Sequence, residues 1–245
     1  MKRNALFFIL LVFVFPLYSQ DSKDNLDKSN SLESYYIENA MDFTIAGDNE
    51  NAIKQLDRAI ETNPKFTSAF IMRGDIKSQM KDYKGAMDDY DRAIDINPGD
   101  PEAYKSRGNV KVKLEDFTGA INDYTLAIEK NANDAEAYNF RGIAMATAGN
   151  YDGAIKDYNN ALELNPKYSE AFANKADAKI HLGKYFDAIK DCNFAIQFSG
   201  LAFAYYLRGL AKANLSDKMG GCMDMSKSGE LGYQDAYIMI KKYCQ

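Results

Sequence analysis

The sequence predicts an all-α protein of the solenoid type, built from a repeated segment of 34 residues. KDYKGAMDDYDRAIDINPGDPEAY (81–104), EDFTGAINDYTLAIEKNANDAEAY (115–138) and GNYDGAIKDYNNALELNPKYSEAF (149–172) begin 34 residues apart and share many of their residues. Runs of Val, Ile and Thr, which favour strands, are almost absent. Of the 245 residues, 46 % are hydrophobic and 27 % are charged, as is usual for a globular protein.

The first 20 residues, MKRNALFFILLVFVFPLYSQ, predict a secretory signal peptide. Two basic residues, Lys2 and Arg3, precede an unbroken apolar run over residues 5–15. This run is shorter than a membrane-spanning helix needs, but its length is typical of a signal sequence. We expect cleavage near residues 19–20, and an uncleaved anchor is the alternative. Export predicts a periplasmic or secreted protein of a bacterial envelope, with no membrane insertion after cleavage.

Residues 21–32, DSKDNLDKSNSL, are polar and predict a flexible leader before the repeats. The whole chain has 30 basic and 35 acidic residues, for a formal net charge of −5 at pH 7. A mildly acidic chain with dispersed charges lacks the basic surface that binds nucleic-acid phosphates or anionic lipids. We therefore expect no nucleic-acid partner.

Five repeats follow at constant spacing, over residues 33–66, 67–100, 101–134, 135–168 and 169–201. Each has a small residue at position 8, alanine at positions 20 and 27, and an aromatic ring at position 4. The position 8 residues are Ala40, Gly74, Gly108, Gly142 and Ala176. Small residues allow two helices to approach closely, and the rings fill the space beside them.

This pattern resembles the tetratricopeptide repeat family, in which each repeat is a pair of antiparallel helices. The resemblance covers residues 33–201 and implies an α-solenoid that winds into a right-handed superhelix. A degenerate sixth repeat follows over residues 202–232, where Gly221 and Ser228 replace the usual alanines. Residues 233–245 predict a C-terminal capping helix, because a solenoid needs a cover for its open end.

Polar residues at position 16 predict the N-cap of the second helix in each of the first four repeats. Asp48, Asp82, Asp116 and Asn150 occupy this position. Their short side chains can accept a hydrogen bond from the first turn of the helix.

Positions 7 and 23 predict an ion pair across each helical hairpin after the first. The turn between the helices falls midway, at position 15, so the two positions face each other. The pairs are Arg73 with Asp89, Arg107 with Asp123, Arg141 with Asp157, Lys175 with Asp191 and Arg208 with Asp224. In the first repeat, Asn39 and Gln55 predict an amide pair instead. A row of arginines that binds an anion is the alternative interpretation.

Three cysteines bear on stability and chemistry. Cys192 lies at position 24, where other repeats have Leu or Tyr, and is interpreted as a buried structural thiol. Cys222 and Cys244 are expected to form a disulfide if the last two helices fold back near Leu231 and Gly232. Closing that loop would stabilise the fold by about 3 kcal/mol. The alternative is two unrelated thiols.

The sequence offers little for catalysis. His181 is the only histidine, four residues after Asp177, and the cysteines lack metal-ligand spacing. The chain contains neither a glycine-rich phosphate loop nor a nucleophile elbow. We therefore expect no enzyme activity, no metal or other cofactor and no small-molecule substrate. An enzyme with an unusual site that uses His181 is the alternative.

The resemblance implies a concave groove for a protein or peptide, lined mainly by the first helix of each repeat. The implied partner-binding residues are Ile37, Met41, Lys105, Asn109, Asn139, Ile143, Asp177, His181, Phe203, Tyr206 and Leu210. The apolar end at Phe203 is either the main binding hot spot or the part that the cap covers. A structural or assembly subunit of a cell-envelope complex, using the convex face or the ends, is the alternative function.

One known specificity of the family is not expected here. Members that bind the C-terminal carboxylate of cytosolic chaperones use Lys and Asn at positions 5 and 9, which Lys105 and Asn109 match. The next repeat has Phe140 where asparagine is needed. The one after has Glu170 and Asn174 where basic residues are needed.

Overall fold

The computed structural model describes residues 32–244, and this part of the chain contains thirteen α-helices and no strand. The helices are α1 Leu32–Ile45, α2 Asn49–Thr62, α3 Thr67–Gln79, α4 Tyr83–Ile96, α5 Pro101–Lys113, α6 Phe117–Lys130, α7 Ala135–Thr147, α8 Tyr151–Leu164, α9 Ser169–His181, α10 Tyr185–Ser199, α11 Ala202–Asn214, α12 Lys218–Glu230 and α13 Asp235–Tyr243. None of these helices is long and apolar enough to cross a membrane. The predicted signal peptide and residues 21–31 of the predicted leader lie outside the described residues.

The chain divides into two compact units, Met1–Pro98 and Gly99–Gln245. The described part of the first contains the helix pairs α1–α2 and α3–α4, with α2 packed on α3. The second contains the pairs α5–α6, α7–α8, α9–α10 and α11–α12, each packed on the next, and α13 packs on α12. The predicted α-solenoid fold class is confirmed.

Each hairpin is held together by the fit between position 8 and position 24. A Cβ atom added to Gly74, Gly108 or Gly142 would lie within 3.0 Å of the Tyr ring at position 24 of the same repeat. Where position 8 is alanine, position 24 has a smaller side chain. Ala40 shares its hydrophobic cluster with Leu56, and Ala176 shares its cluster with Cys192. Close packing therefore couples the two positions, because a larger side chain at one requires a smaller side chain at the other.

The predicted N-caps are confirmed. The side chains of Asp48, Asp82, Asp116 and Asn150 each accept a hydrogen bond from the backbone N–H three residues further on. Asp217 does the same for α12. The repeat period therefore also determines where the second helices begin.

The predicted ion pairs of positions 7 and 23 are confirmed in repeats 2 to 6. The N–O distances are 2.5 Å for Arg73–Asp89, 2.7 Å for Arg107–Asp123, 2.7 Å for Arg141–Asp157, 3.1 Å for Lys175–Asp191 and 2.7 Å for Arg208–Asp224. Each cation also lies over the ring at position 4 of its own repeat, at 5.1–5.6 Å from the centroid. The amide pair is wrong, because no hydrogen bond joins Asn39 to Gln55 in the described chain.

A second cation, which the period alone did not suggest, shares most of these carboxylates. Lys77, Lys111 and Lys212 lie 2.7–2.8 Å from the aspartate of their own repeat. Lys179 Nζ lies 2.6 Å from Asp191 Oδ2 but off the hydrogen-bond direction, so this contact is electrostatic. The aspartates are buried, and pairing with two cations offsets the desolvation penalty of burying their charge.

The fit at positions 8 and 24 can be tested by a double-mutant cycle at Gly108 and Tyr124. Overpacking by the methyl group of Gly108→Ala should cost about 1–3 kcal/mol. The gain in helix propensity offsets only about 1 kcal/mol of this. We expect the free energy of unfolding, measured with urea, to fall in the Tyr124 background. It should hold or rise when Tyr124→Leu is present, which recreates the Ala40 and Leu56 pairing. Equal effects in both backgrounds would contradict the coupling.

Candidate binding surface on the inner helices

Two of the predicted partner-binding residues, Ile37 and Met41, lie in the first compact unit. Ile37 is buried in a cluster with Ala40 and Leu56, and Met41 packs against that cluster. Both side chains therefore contribute to the core of this unit.

Lys105 is buried and surrounded by carboxylates. Its Nζ lies 3.0 Å from Glu102 Oε2, 3.0 Å from Asp134 Oδ2 and 3.4 Å from Glu136 Oε2. Burial alone would lower the pKa of Lys105, but the charges of Glu102 and Asp134 outweigh it and raise the pKa. The charge of this ammonium group is already neutralised by carboxylates of the same chain. Lys105 is therefore poorly suited to bind the carboxylate of a partner.

The middle of the expected groove is a hydrogen-bonded network. Asn139 is 2 % exposed, donates to the Tyr168 hydroxyl over 3.3 Å and accepts from Asn174 Nδ2 over 3.0 Å. Asn109 accepts from the Tyr124 hydroxyl over 2.7 Å, and Ile143 packs against the Tyr158 cluster. These side chains connect neighbouring helices to each other, so few of their hydrogen-bonding groups are left for a partner.

Asp177 differs from Asp75 and Asn109, the other polar residues at position 9 of the five repeats. The Tyr90 hydroxyl donates to Asp75 over 2.7 Å, as Tyr124 does to Asn109. In the fifth repeat position 24 is Cys192, which is fully buried and has no hydroxyl. Among residues 32–244, no group donates a hydrogen bond to Asp177, although its side chain is only 18 % exposed. Burial raises the pKa of Asp177, and His181, whose Nε2 lies 3.9 Å from Oδ2, acts in the opposite direction.

Three aromatic rings, two on α11 and one in the segment before α13, contact each other. The centroid of Tyr233 lies 4.9 Å from that of Tyr206 and 5.6 Å from that of Phe203. Burial raises the pKa of both tyrosines, and the charges of Asp235 and Asp177 raise them further, so both carboxylates are within electrostatic reach of the phenols. We call Asp177, His181, Phe203, Tyr206, Tyr233 and Asp235 the acidic aromatic site.

The capping segment contributes to this site. Tyr233, which precedes α13, contacts Phe203 and Tyr206, yet both rings remain half-exposed, as does Leu210. His181 is held by stacking on Tyr151, with ring centroids 4.6 Å apart and an interplanar angle of 6°. The structure thus brings together four predicted residues, Asp177, His181, Phe203 and Tyr206, and adds Tyr233 and Asp235.

A disulfide fastens the segment that supplies Tyr233 and Asp235. It joins Cys222 on α12 to Cys244 after α13, with 5.8 Å between the Cα atoms. Cys192 is a free buried thiol whose pKa is raised by burial. No cluster of three or more potential metal ligands occurs in the described part of the chain.

Sequence reasoning missed Tyr233 and Asp235 because they lie beyond the last repeat, where the 34-residue period no longer assigns a helix face. A signal was available in the leading turn of the cap, GYQDAY, where a ring and a carboxylate stand close together in the sequence.

The geometry therefore defines an α-solenoid of helix pairs, with an acidic aromatic site formed by α9, α11 and the capping segment. Models of the tetratricopeptide repeat match residues 74–115, 106–169 and 157–190. The chain is a tetratricopeptide repeat protein.

Solved structures with the same fold include PilW, a type IV pilus biogenesis factor, at 18 % identity and a TM-score of 0.77, covering 86 % of this chain and 99 % of that one. The APC/C hetero-tetramer Cut9–Hcn1 matches at 18 % identity and a TM-score of 0.75, over 91 % of this chain and 45 % of that one. YrrB, described as a TPR protein with an unusual peptide-binding site, matches at 20 % identity and a TM-score of 0.61, over 76 % and 97 %. At these identities the likeness shows the fold alone. No curated protein matches the chain.

Replacing Asp177 tests whether its carboxylate lacks a donor. Because the folded-state pKa is raised above the ordinary value of 3.8, ionisation of Asp177 opposes folding, and this penalty grows as the pH rises. Asp177→Asn should therefore raise the thermal midpoint at pH 7, with a gain that fades as the pH approaches 3.8.

Asp75→Asn is the matched control, since Tyr90 donates to that carboxylate. Because an asparagine amide oxygen still accepts from this hydroxyl, as Asn109 does from Tyr124, Asp75→Asn should change stability by less than about 1 kcal/mol. Thermal unfolding followed by circular dichroism between pH 3.5 and pH 8 measures both variants. A lower midpoint for Asp177→Asn at pH 7 would show that a partner for Asp177 exists in the folded chain.

Proposed function

We propose that this protein is a non-enzymatic interaction protein that binds a peptide or protein segment on the inner helices α5, α7, α9 and α11 of its second compact unit. The observation that supports this most is the acidic aromatic site, where partly buried rings that contact each other lie within electrostatic reach of a carboxylate that has no donor among residues 32–244. Tyrosine is over-represented among the residues that dominate binding energy at protein interfaces. Lys105 and Asn139, which are held by ion pairs and hydrogen bonds on α5 and α7, provide a rigid part of the same proposed binding surface.

Catalysis has little support at the same place. His181 is the only histidine in the chain, and its ring is stacked on Tyr151. Cys192, the free thiol, is fully buried and its raised pKa disfavours the reactive thiolate. The side chains that chemistry would need are thus engaged in packing, which favours a binding role without a cofactor.

Site-specific photo-crosslinking tests the binding face. A benzophenone side chain at Leu210, on inner helix α11, is expected to capture a partner in the native organism. The same group at Phe194, which is 45 % exposed on outer helix α10, is the matched control and should capture it far less. Mass spectrometry of the products identifies the partner and its contact peptide. Capture at Phe194 alone would refute binding on the inner face.

A second candidate function is that of an assembly subunit of an envelope complex that uses its second helices. Phe186 and Phe194 on α10 are 71 % and 45 % exposed, which is unusual for aromatic side chains. In that case the crosslink at Phe194 would be the productive one. PilW is described as a type IV pilus biogenesis factor, so an envelope assembly has a precedent on this fold, although the likeness names no partner for this chain.

We also propose that the protein is exported. The support is the basic and apolar start of the chain together with the Cys222–Cys244 disulfide, a bond that persists mainly in oxidising compartments. The intact mass of the protein purified from the envelope fraction should lack the first 19 or 20 residues, with both cysteines oxidised. An intact Met1 in a protein recovered from the reducing cytoplasm would contradict export.

A further inference from the structure

We propose that the acidic aromatic site binds the cationic side chain of a lysine or arginine in the partner segment. This inference rests on the proposed function, since the cation would arrive as part of a bound peptide. It goes further by assigning a charge to the residue that the site selects.

The first support is that the site holds negative charge that the described chain does not neutralise with lysine or arginine. None of the ion pairs formed within residues 32–244 by these two residue types involves Asp177 or Asp235. Within the same residues, the side chain in ion-pair range of Asp177 is the imidazole of His181, whose Nε2 lies 3.9 Å from Oδ2. A mostly buried carboxylate without a donor gains more from an incoming cation than a solvated one does.

The second support is that the protein already uses the same combination of groups to hold its own cations. In the sixth repeat, the Arg208 guanidinium lies 5.3 Å from the centroid of Tyr205 and pairs with Asp224 over 2.7 Å. Ring and carboxylate hold a cation in the same way in repeats 2 to 5. At the acidic aromatic site the rings and the carboxylates are present, but no lysine or arginine of residues 32–244 forms an ion pair with Asp177 or Asp235.

The third support is the chemistry of the rings. The faces of aromatic rings attract cations, and a cation between several rings gains from each of them. Phe203, Tyr206 and Tyr233 meet at centroid distances of 4.9–6.3 Å, so one cation can contact more than one ring. An acidic or C-terminal carboxylate partner would instead meet like charge at Asp177 and Asp235.

Binding at the site can be followed by NMR through the imidazole of His181. The chain has one histidine, so it gives a single set of imidazole signals. Residues 21–245, which include every described residue, are titrated with N-acetyl-lysine methylamide while the His181 ring is followed by NMR. The neutral analogue with norleucine is the matched probe. We expect a saturable shift with the lysine probe and binding about tenfold to a hundredfold weaker with norleucine, the range for a hydrogen bond to a charged group.

Two variants locate the effect. Asp177→Asn should weaken lysine binding by about tenfold or more, while keeping the side-chain shape. Asp187→Asn removes the same charge from an exposed position on α10 and should leave the affinity unchanged. Equal affinity for the two probes, the absence of a saturable shift, or equal losses in the two variants would each overturn the proposal.

The proposed function and this inference can fail separately. If Leu210 crosslinks to a partner with Asp177→Asn as well as with the wild-type chain, binding on the inner face stands and cation recognition is wrong. If the partner is captured only with the wild-type chain, while the folded state of Asp177→Asn is verified by its thermal midpoint, both are supported. If lysine binds but Leu210 captures no partner, the cation site stands without the proposed function.

Discussion

The packing of position 24 against position 8 holds the hairpins together, and the side chain at position 24 also decides whether a polar residue at position 9 has a hydrogen-bond donor. In repeats 2 and 3 a glycine makes room for a tyrosine, and the tyrosine hydroxyl satisfies a polar side chain at position 9. In repeat 5 alanine and cysteine fill the same space without a hydroxyl. One change in core packing thus leaves Asp177 without the hydroxyl donor that Asp75 and Asn109 have.

The buried polar groups of the second compact unit form two kinds of pair, one within each hairpin and one between neighbouring repeats. The aspartates at position 23 are paired with arginine and lysine within the hairpins, while Lys105 pairs with Glu136 and Asn139 with Asn174 between repeats. Such pairs add little net stability when they are exposed. When they are buried they specify register, because a shifted arrangement would leave charges unpaired. Asp177 differs from these paired groups, because within residues 32–244 it accepts no hydrogen bond and forms an ion-pair contact only with the imidazole of His181, at 3.9 Å.

The regular part of the molecule could be predicted from the sequence, and the irregular part could not. A constant period of 34 residues identified the helix pairs, the N-caps such as Asp82 and the hairpin pairs such as Arg107 with Asp123. The period assigns a residue to a helix face, but it does not say which neighbouring side chains reach that residue. Burial of Asn139 under Tyr168 was therefore not apparent. Beyond Leu231 the period ends, so the position of Tyr233 against Phe203 and Tyr206 depends on tertiary packing and on the disulfide of Cys222 with Cys244.

The most direct test of the account is the pKa of Asp177, measured by carboxyl carbon NMR in the wild-type chain and in the double variant Ala176→Gly, Cys192→Tyr. The double variant recreates the packing of Gly74 with Tyr90, so the introduced hydroxyl can donate to Asp177. A hydrogen bond to the ionised form lowers the pKa of a carboxyl group. We expect a pKa above 3.8 in the wild-type chain and a clear decrease in the double variant. An unchanged pKa, with both proteins folded, would contradict the claim that Cys192 leaves Asp177 without its donor.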